Sequence, residues 1–550
     1  MGDANSEQSD QLSRWTQWDE KQLWIITALT AAAYFLFSVM SDGFYQHDEA
    51  GHFISMRNFW YEPNSILGNW AKPGFKLLYA IPALLGRHAV TATNVIIAAM
   101  TAQLVYRIAA DRKFQFPAIA FFLMALQPLW IQLAHRNYSE IISAFLLILV
   151  VFLHYRNKYW LAAAVLSYIT LIRQEVYILL VLYAIFLLYR KQWIPFLLLG
   201  LFPIVNNVWG WMATGDPIYL ITNTLKTGGT YQDAYPRQGF WHYFRMSIVI
   251  FGPVVIPLVV YNILLNVRRK IAFLWPVWAP LLVIFSVHAL FNLKAFMIGA
   301  STGGNLRYML MISPMMALLA AQGISFQLKS ISKELLVSGG LALMLVVVGA
   351  FMTYDHNFVK LTNQRDWWPL ILALGTVIMI LFVNNNTYRL ILTLALLLIT
   401  LPVALKPFKL TSEDLIMKRV AEWAEQTNAM QRPILSQHIL LQYYLETPRG
   451  AFPKGNETVI FENVKEAPVG TLIFWDSHYS YRPNLRETSL PPSYFMENSS
   501  AFRPVEQFVN QNRSFGVLVF EKIAGEVPQP PSPEEVQRRR MQQRRQQQGN

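Results

Sequence analysis

The sequence predicts a mostly α-helical, polytopic membrane protein that carries a small α/β domain after its last span. Three observations predict it. Of 550 residues, 54% are hydrophobic and only 14% are charged, and the apolar residues gather into many long runs. Basic residues recur in short stretches between alternate runs. After residue 405 the long runs stop, and short apolar segments separated by Gly, Pro and Asn replace them.

The elements follow in order. Residues 1–22 are polar and are expected to form a cytoplasmic tail. The first run, 23–40, is long enough to span and lacks a small-residue cleavage site, so it is expected to be an anchor and not a removed signal peptide. The first outer loop, 41–88, is expected to hold two interfacial helices. Phe53, Met56 and Trp60 recur at helical spacing, and Pro73 opens a second helix after a turn at Glu62-Pro63-Asn64. Further spans fall near 89–110, 115–134, 140–155, 159–171, 175–189 and 193–213. After a polar loop at 214–246 they resume near 247–266, 271–291, 307–325, 334–353, 367–384 and 388–404. About thirteen spans result, and residues 23–404 form one transmembrane domain.

Charge supports this parity. With the N-terminus inside, the inner loops hold Arg107, Arg112 and Lys113; Arg156 and Lys158; Arg190 and Lys191; Arg268, Arg269 and Lys270; Lys329 and Lys333; and Arg389. The net charge of +13 is therefore topological, and no nucleic-acid partner is expected. Cysteine is absent, which excludes disulfides and thiolate metal sites.

Residues 405–525 change character and are expected outside the membrane. Thr411-Ser412-Glu413-Asp414 predicts a capped helix start, with Leu415, Val420, Trp423 and Ala424 on its apolar face. Val459 with Phe461, then 472–475, then 517–520, read as short strands. Asp476-Ser477-His478 reads as a turn and not as catalytic chemistry. The tail at 526–550, rich in Pro, Gln and Arg, is expected to be disordered.

The chemistry is expected around 46–53, where His47, Asp48, Glu49 and His52 sit just after the first span. Ionisable groups beside a bilayer are costly unless water, a partner or a substrate compensates them. The competing reading is structural, with Asp48 capping a helix and Glu49 complementing its dipole. The same topology puts Lys72, Arg136, Glu140, Arg173, Glu175 and Arg307 outside. Outer cations run against the orientation rule and point to a shared anionic ligand.

These residues carry a resemblance. Asp48-Glu49 with His52 and Phe53 following, the stretch Lys72-Pro73-Gly74-Phe75-Lys76-Leu77-Leu78-Tyr79, Leu171-Ile172-Arg173-Gln174-Glu175, and Asn305-Leu306-Arg307-Tyr308 with Pro314 resemble the C-type (GT-C) membrane glycosyltransferases. The branch they resemble holds the protein O-mannosyltransferases and the aminoarabinose–lipid A transferases, with Gly74 in place of that branch's second proline. His47-Asp48-Glu49 also resembles the His-Pro-Asp-Glu motif of lumenal mannosyltransferases, though it lacks the proline.

The resemblance implies a bacterial cytoplasmic-membrane enzyme that takes a sugar from a polyprenyl-phosphate donor. The donor is a dolichyl- or undecaprenyl-phosphate sugar, and the acceptor is a hydroxyl of a protein, lipid or glycan at the outer face. Asp48 is the expected base, because a carboxylate in a partly dry cleft has its pKa raised towards the useful range. Glu49 is the candidate for positioning a substrate or tuning Asp48. The lipid phosphate leaves as an anion and needs fixed positive charge. Arg307 is the first candidate for this role, followed by Arg173, Lys72 and Arg136. Direct displacement inverts the anomeric centre, whereas Glu140 and Glu175 keep a retaining route open.

His47, Asp48, Glu49 and His52 are also possible ligands for Mn²⁺ or Mg²⁺. The resembled branch does not generally need a catalytic metal, so none is expected. A polyprenyl tail needs an apolar groove, for which Trp209, Trp211, Tyr219 and Trp241 are candidates alongside ordinary anchoring at the interface. The alternative function is a secondary transporter or a flippase for lipid-linked glycans. No internal repeat supports it, and the polar residues cluster at one interface and not at the midplane.

Overall fold

The computed structural model describes residues 17–42, 47–68, 70, 72–230, 237–269, 274–293, 304–324, 335–351, 367–405, 407–445, 459–480 and 490–530. Most of the expected tails, 1–16 and 531–550, lie outside the described residues, as do Lys270, Lys329 and Lys333. The chain divides into two compact units. One is the described part of Met1–Ser41 with Phe59–Pro407, and the other is that of Asp42–Asn58 with Phe408–Asn550. The first outer loop is therefore divided, because helix His47–Asn58 packs on helix Ile439–Leu445 of the second unit.

In the first unit, helices stand at each of the thirteen predicted stretches. Glu20–Val39 starts with a capping box, in which Asp19 accepts from Gln22 N and the Gln22 side chain accepts from Asp19 N. Among the described residues, three helices are long and apolar enough to cross a membrane: Glu20–Val39, Arg87–Asp111 and Trp193–Thr214. Two predicted spans are bent pairs. Pro117–Ala125 and Pro128–Ala134 meet at 64°, and His242–Ile250 and Val255–Asn266 meet at 118°, so up to five helices qualify by length and composition. Prolines at 128 and 253 explain the breaks, since proline removes a backbone donor and clashes with the preceding turn. Seven further apolar helices are shorter, at 10–17 residues. This is a multi-pass membrane protein.

Arg87–Asp111 is the central helix. It packs against Glu20–Val39, Pro117–Ala125 and Ser139–Tyr155 and buries Ala98, Ala99 and Ala102, small residues that allow close approach. Arg389 lies in the first turn of helix Asn386–Ala404 and is buried. Its guanidinium donates to the Ile380 and Val383 carbonyls, at the C-terminal end of helix Trp368–Phe382.

Helix Pro73–Leu84 starts at the predicted proline. Gly74 lies against the chain at Leu171–Ile172. Its N–H donates to Leu171 O at 3.1 Å, and its own carbonyl accepts from Tyr168 Oη at 2.8 Å. A Cβ on Gly74 would stand 2.7 Å from Leu171 Cβ. Glycine at this position is thus a packing requirement that brings the 72–76 segment against the 171–173 segment.

The second unit is built on a four-stranded sheet of order β1-β2-β4-β3, with β1 Ile434–Ser436, β2 Leu472–Asp476, β3 Phe502–Val509 and β4 Gly516–Lys522. β1 and β2 are parallel, and the other pairs are antiparallel. One core gathers Leu435, Ile473, Trp475, Phe495, Phe502 and Phe520. Helix Ser412–Gln426 carries the predicted capping box between Thr411 and Asp414, and Trp423 meets Phe474 and Phe508. Its buried face is Ile416, Met417, Val420, Ala421 and Ala424, while Leu415 points outward. The strand expected at 459–461 is corrected to the start of helix Phe461–Glu466. Helix His47–Asn58 buries residues all round and sets Phe53 edge-on to Tyr443 at 5.9 Å, so it does not have the single apolar face expected of an interfacial helix.

Glu521 on β4 is gripped by Arg432 and Arg503. The Arg503 hydrogen bond, helped by Arg432, holds its carboxyl below the ordinary range against the opposing effect of burial. This contribution is complete above the unfolded value and is lost as pH falls through the lower folded value. The stability difference between the wild type and Glu521→Gln, expected to be about 1 kcal/mol near neutrality, should therefore close on acidification below roughly pH 4. Thermal melts of the full chain across pH measure it. Gly74→Ala is expected to cost about 1–3 kcal/mol through overpacking, read as a lowered melting midpoint in detergent.

Candidate functional site

Six residues singled out by the sequence meet in the first unit at the start of one helix. Helix Ser139–Tyr155 carries Glu140 in its first turn, where the helix dipole favours a negative charge. The Glu140 carboxylate is wholly buried. Its Oε1 lies 3.0 Å from Arg173 Nη1 and 3.4 Å from Arg307 Nε. Arg173 follows the end of helix Tyr159–Ile169 and also grips Glu175, with Nε at 2.7 Å and Nη2 at 2.6 Å from the same oxygen. His288 Nε2 is 3.3 Å from that oxygen.

Aromatic rings frame these charges. The Arg307 guanidinium lies 4.1 Å from the centre of the Tyr138 ring, and that of Arg173 lies 4.6 Å from Tyr308. His288 stacks on Tyr308 at 5.2 Å and 15°. Arg136 lies 5.1 Å from the Tyr138 ring, and Lys72 Nζ donates to Ser139 Oγ at 2.9 Å. Lys72 holds φ 53°, a left-handed conformation uncommon for a side-chain-bearing residue, immediately ahead of Pro73. Four cations and two carboxylates thus gather near this helix start, two of the cations in contact with the carboxylates, with a formal excess of two positive charges. Such an arrangement suits an anion such as a phosphate ester.

The same helix borders an apolar cleft lined by Leu147, Val151, Leu166, Leu179, Tyr183 and Trp275. Leu147 lies two turns beyond Glu140, about 10 Å along the helix axis. The four aromatics considered for a groove do not line it. Trp209 Nε1 donates to Asn64 Oδ1, Trp211 and Trp241 are exposed, and Tyr219 packs on Gly210.

Asp48 and Glu49 belong to the second unit, in the first turn of helix His47–Asn58. The helix already includes His47, so Asp48 lies within it and not at its N-cap. Asp48 is half-buried, and Glu49 and His52 are buried.

His47 joins a separate group with Glu413, His438 and His478, whose ligand atoms all lie within 4.8 Å of one another. The topology explains the meeting. β1 and β2 are adjacent and parallel, so the loops leaving their C-terminal ends emerge side by side. His438 and His478 each stand two residues beyond a strand end. The predicted turn after β2 is present. The Asp476 carboxylate accepts the N–H groups of His478 and Tyr479 at 3.0 and 2.6 Å. Glu413 Oε1 lies 3.0 Å from His438 Nε2, 2.6 Å from His478 Nδ1 and 3.7 Å from His47 Nε2. Burial works to raise the Glu413 carboxyl, but the bonds from His438 and His478 and the nearby imidazoles hold it below the ordinary range. Burial pushes the His438 imidazole down, opposed by Glu413 and Asp476.

The sequence reading gave no role in a site to Tyr138, Tyr308 and His288 in the first group, or to Glu413, His438 and His478 in the second. A histidine within the apolar run at 271–291 was a signal, since ionisable groups there demand partners. The second group depends on strand pairing, which spacing does not reveal. Asp48, Glu49 and His52, which could have offered ligand atoms together with His47, are not members of it.

The chain is similar in structure to ArnT from Cupriavidus metallidurans bound to undecaprenyl phosphate, with a TM-score of 0.54 and 14% identity, covering 92% of this chain and 99% of that one. It is equally similar to the apo state of the same protein, with a TM-score of 0.54 and 13% identity, covering 92% and 98%. No family model matches the sequence, and no curated protein matches it significantly. The fold of this chain is accordingly that of ArnT.

Proposed function

We propose that this protein is a membrane glycosyltransferase that moves a hexose or pentose from a polyprenyl-phosphate donor to a hydroxyl acceptor. The carrying observation is the cation-rich group around Glu140, in a fold shared with a protein bound to undecaprenyl phosphate. Arg307 and Arg173 hold the donor phosphate, with Lys72 and Arg136 adding charge. Their guanidiniums stabilise the phosphate as it takes over the electron pair of the breaking glycosidic bond. The apolar cleft along Ser139–Tyr155 supports a place for part of the isoprenoid tail.

Asp48 is the base that takes the acceptor proton as the hydroxyl attacks the anomeric carbon, and Glu49 positions a substrate. Glu140 and Glu175 are engaged by guanidiniums, which supports a positioning role over that of a nucleophile. Single displacement with inversion is therefore the favoured route. The distribution of basic residues supports an extracytoplasmic site in a cytoplasmic membrane.

The test is transfer from a radiolabelled polyprenyl-phosphate sugar in reconstituted vesicles. Asp48→Asn is expected to lower turnover about 10²–10⁴-fold, and Arg307→Ala about 10²–10³-fold, with melting midpoints close to wild type for Asp48→Asn. Full transfer by Asp48→Asn would remove the base assignment. Sugar flux across the vesicle wall with no transfer by the wild type would replace the enzyme with a transporter.

A further inference from the structure

We propose that His47, Glu413, His438 and His478 form a structural divalent-cation site of the zinc class. It fastens the start of helix His47–Asn58 to the sheet of the second unit. This inference is independent of the glycosyltransferase reading, since it concerns a different set of side chains.

Geometry comes first. Four ligands about 2.1 Å from a zinc ion stand about 3.4 Å apart at the corners of a tetrahedron. The distances from Glu413 Oε1 to the three imidazole nitrogens, 2.6, 3.0 and 3.7 Å, bracket that edge. Three rings converge on one carboxylate oxygen, with centroids 4.9 Å apart for His47 and His438 and 5.3 Å apart for His47 and His478.

A second observation points to a cation. Asp414 is almost wholly buried, and its Oδ1 has no hydrogen-bond partner although it lies 3.8 Å from His47 Nε2. Its other oxygen serves the capping box with Thr411. A buried carboxylate oxygen without a donor is costly, and a cation among these side chains offsets that cost.

The donor set selects the ion. Three imidazoles and one carboxylate suit zinc, cobalt or nickel, whereas magnesium and calcium prefer oxygen. Four protein ligands close the coordination shell, which marks a structural site. Supporting contacts are present. His47 Nδ1 meets Tyr479 Oη, and the Asp476 turn fixes the backbone of His478. His438 Nδ1 accepts a long 3.3 Å contact from Leu440 N, so binding through Nε2 moves the ring proton to Nδ1 and breaks that contact. The ligands come from four chain segments, and one of these, His47, directly precedes the Asp48–Glu49 pair.

The test uses the full chain in detergent, with any affinity tag removed and metal stripped by chelator. Titration with Co²⁺ alone is expected to give a tetrahedral ligand-field spectrum that saturates at one ion per chain and is abolished by Zn²⁺. His438→Ala and His478→Ala should each remove it, and His88→Ala should not. Should those variants fail to fold, histidine modification by diethylpyrocarbonate in the wild type, mapped by mass spectrometry, decides the matter. Zn²⁺ should protect His47 and His478, which the reagent can reach, but not His88. The proposal is overturned if the wild type shows no saturable Co²⁺ spectrum, if the spectrum survives in the folded variants, or if His47 and His478 react equally with and without Zn²⁺.

Discussion

The first unit depends on a buried carboxylate shared by two guanidiniums. Glu140 has no access to water, and Arg173 and Arg307 have almost none. Charges in such a place persist only when each is compensated, and removing one partner leaves another stranded. The Glu140–Arg173–Arg307 contacts therefore couple a helix start, the segment after Tyr159–Ile169 and the 3₁₀ segment Leu306–Ile312. These three stretches are far apart in sequence. The apolar helices around them supply the low-dielectric setting that makes each partner count.

A different constraint shapes the second unit. Its sheet has one parallel pair, and parallel neighbours send their following loops out at the same edge. Two histidines placed after the ends of those strands must come close, whatever lies between them in the chain. Helix Ser412–Gln426 then brings Glu413, and helix His47–Asn58 brings His47 from several hundred residues upstream. The result is a polar group built by topology beyond the strand ends of a sheet that carries a hydrophobic core of Leu435, Ile473 and Phe520.

Much of this was legible in the sequence where local rules suffice. Apolar run length located the helices of the first unit, Pro73 marked a helix start, and the Thr411–Asp414 spacing predicted a capping box that is present. The outlying cations Lys72, Arg136, Arg173 and Arg307 were visible because they ran against the orientation rule. Other features were hidden for identifiable reasons. β3 is an exposed edge strand with Pro504 inside it, so neither alternation nor composition announced it. Arg389 looks like a loop cation until the carbonyls it caps are seen. His438 and His478 are ordinary turn-region residues in sequence, and only strand pairing gives them a common point.

Lys72 carries a consequence of its own. Left-handed backbone geometry costs a side-chain-bearing residue on the order of 1–2 kcal/mol, and Lys72 adopts it at the residue that opens helix Pro73–Leu84. Its carbonyl still accepts from Phe75 N, and its ammonium reaches Ser139, so both ends of the residue are committed. Glycine or asparagine would rest more easily in that conformation and would bring no charge. At this one position, conformational comfort and electrostatics pull in opposite directions, and the chain has settled on the cation.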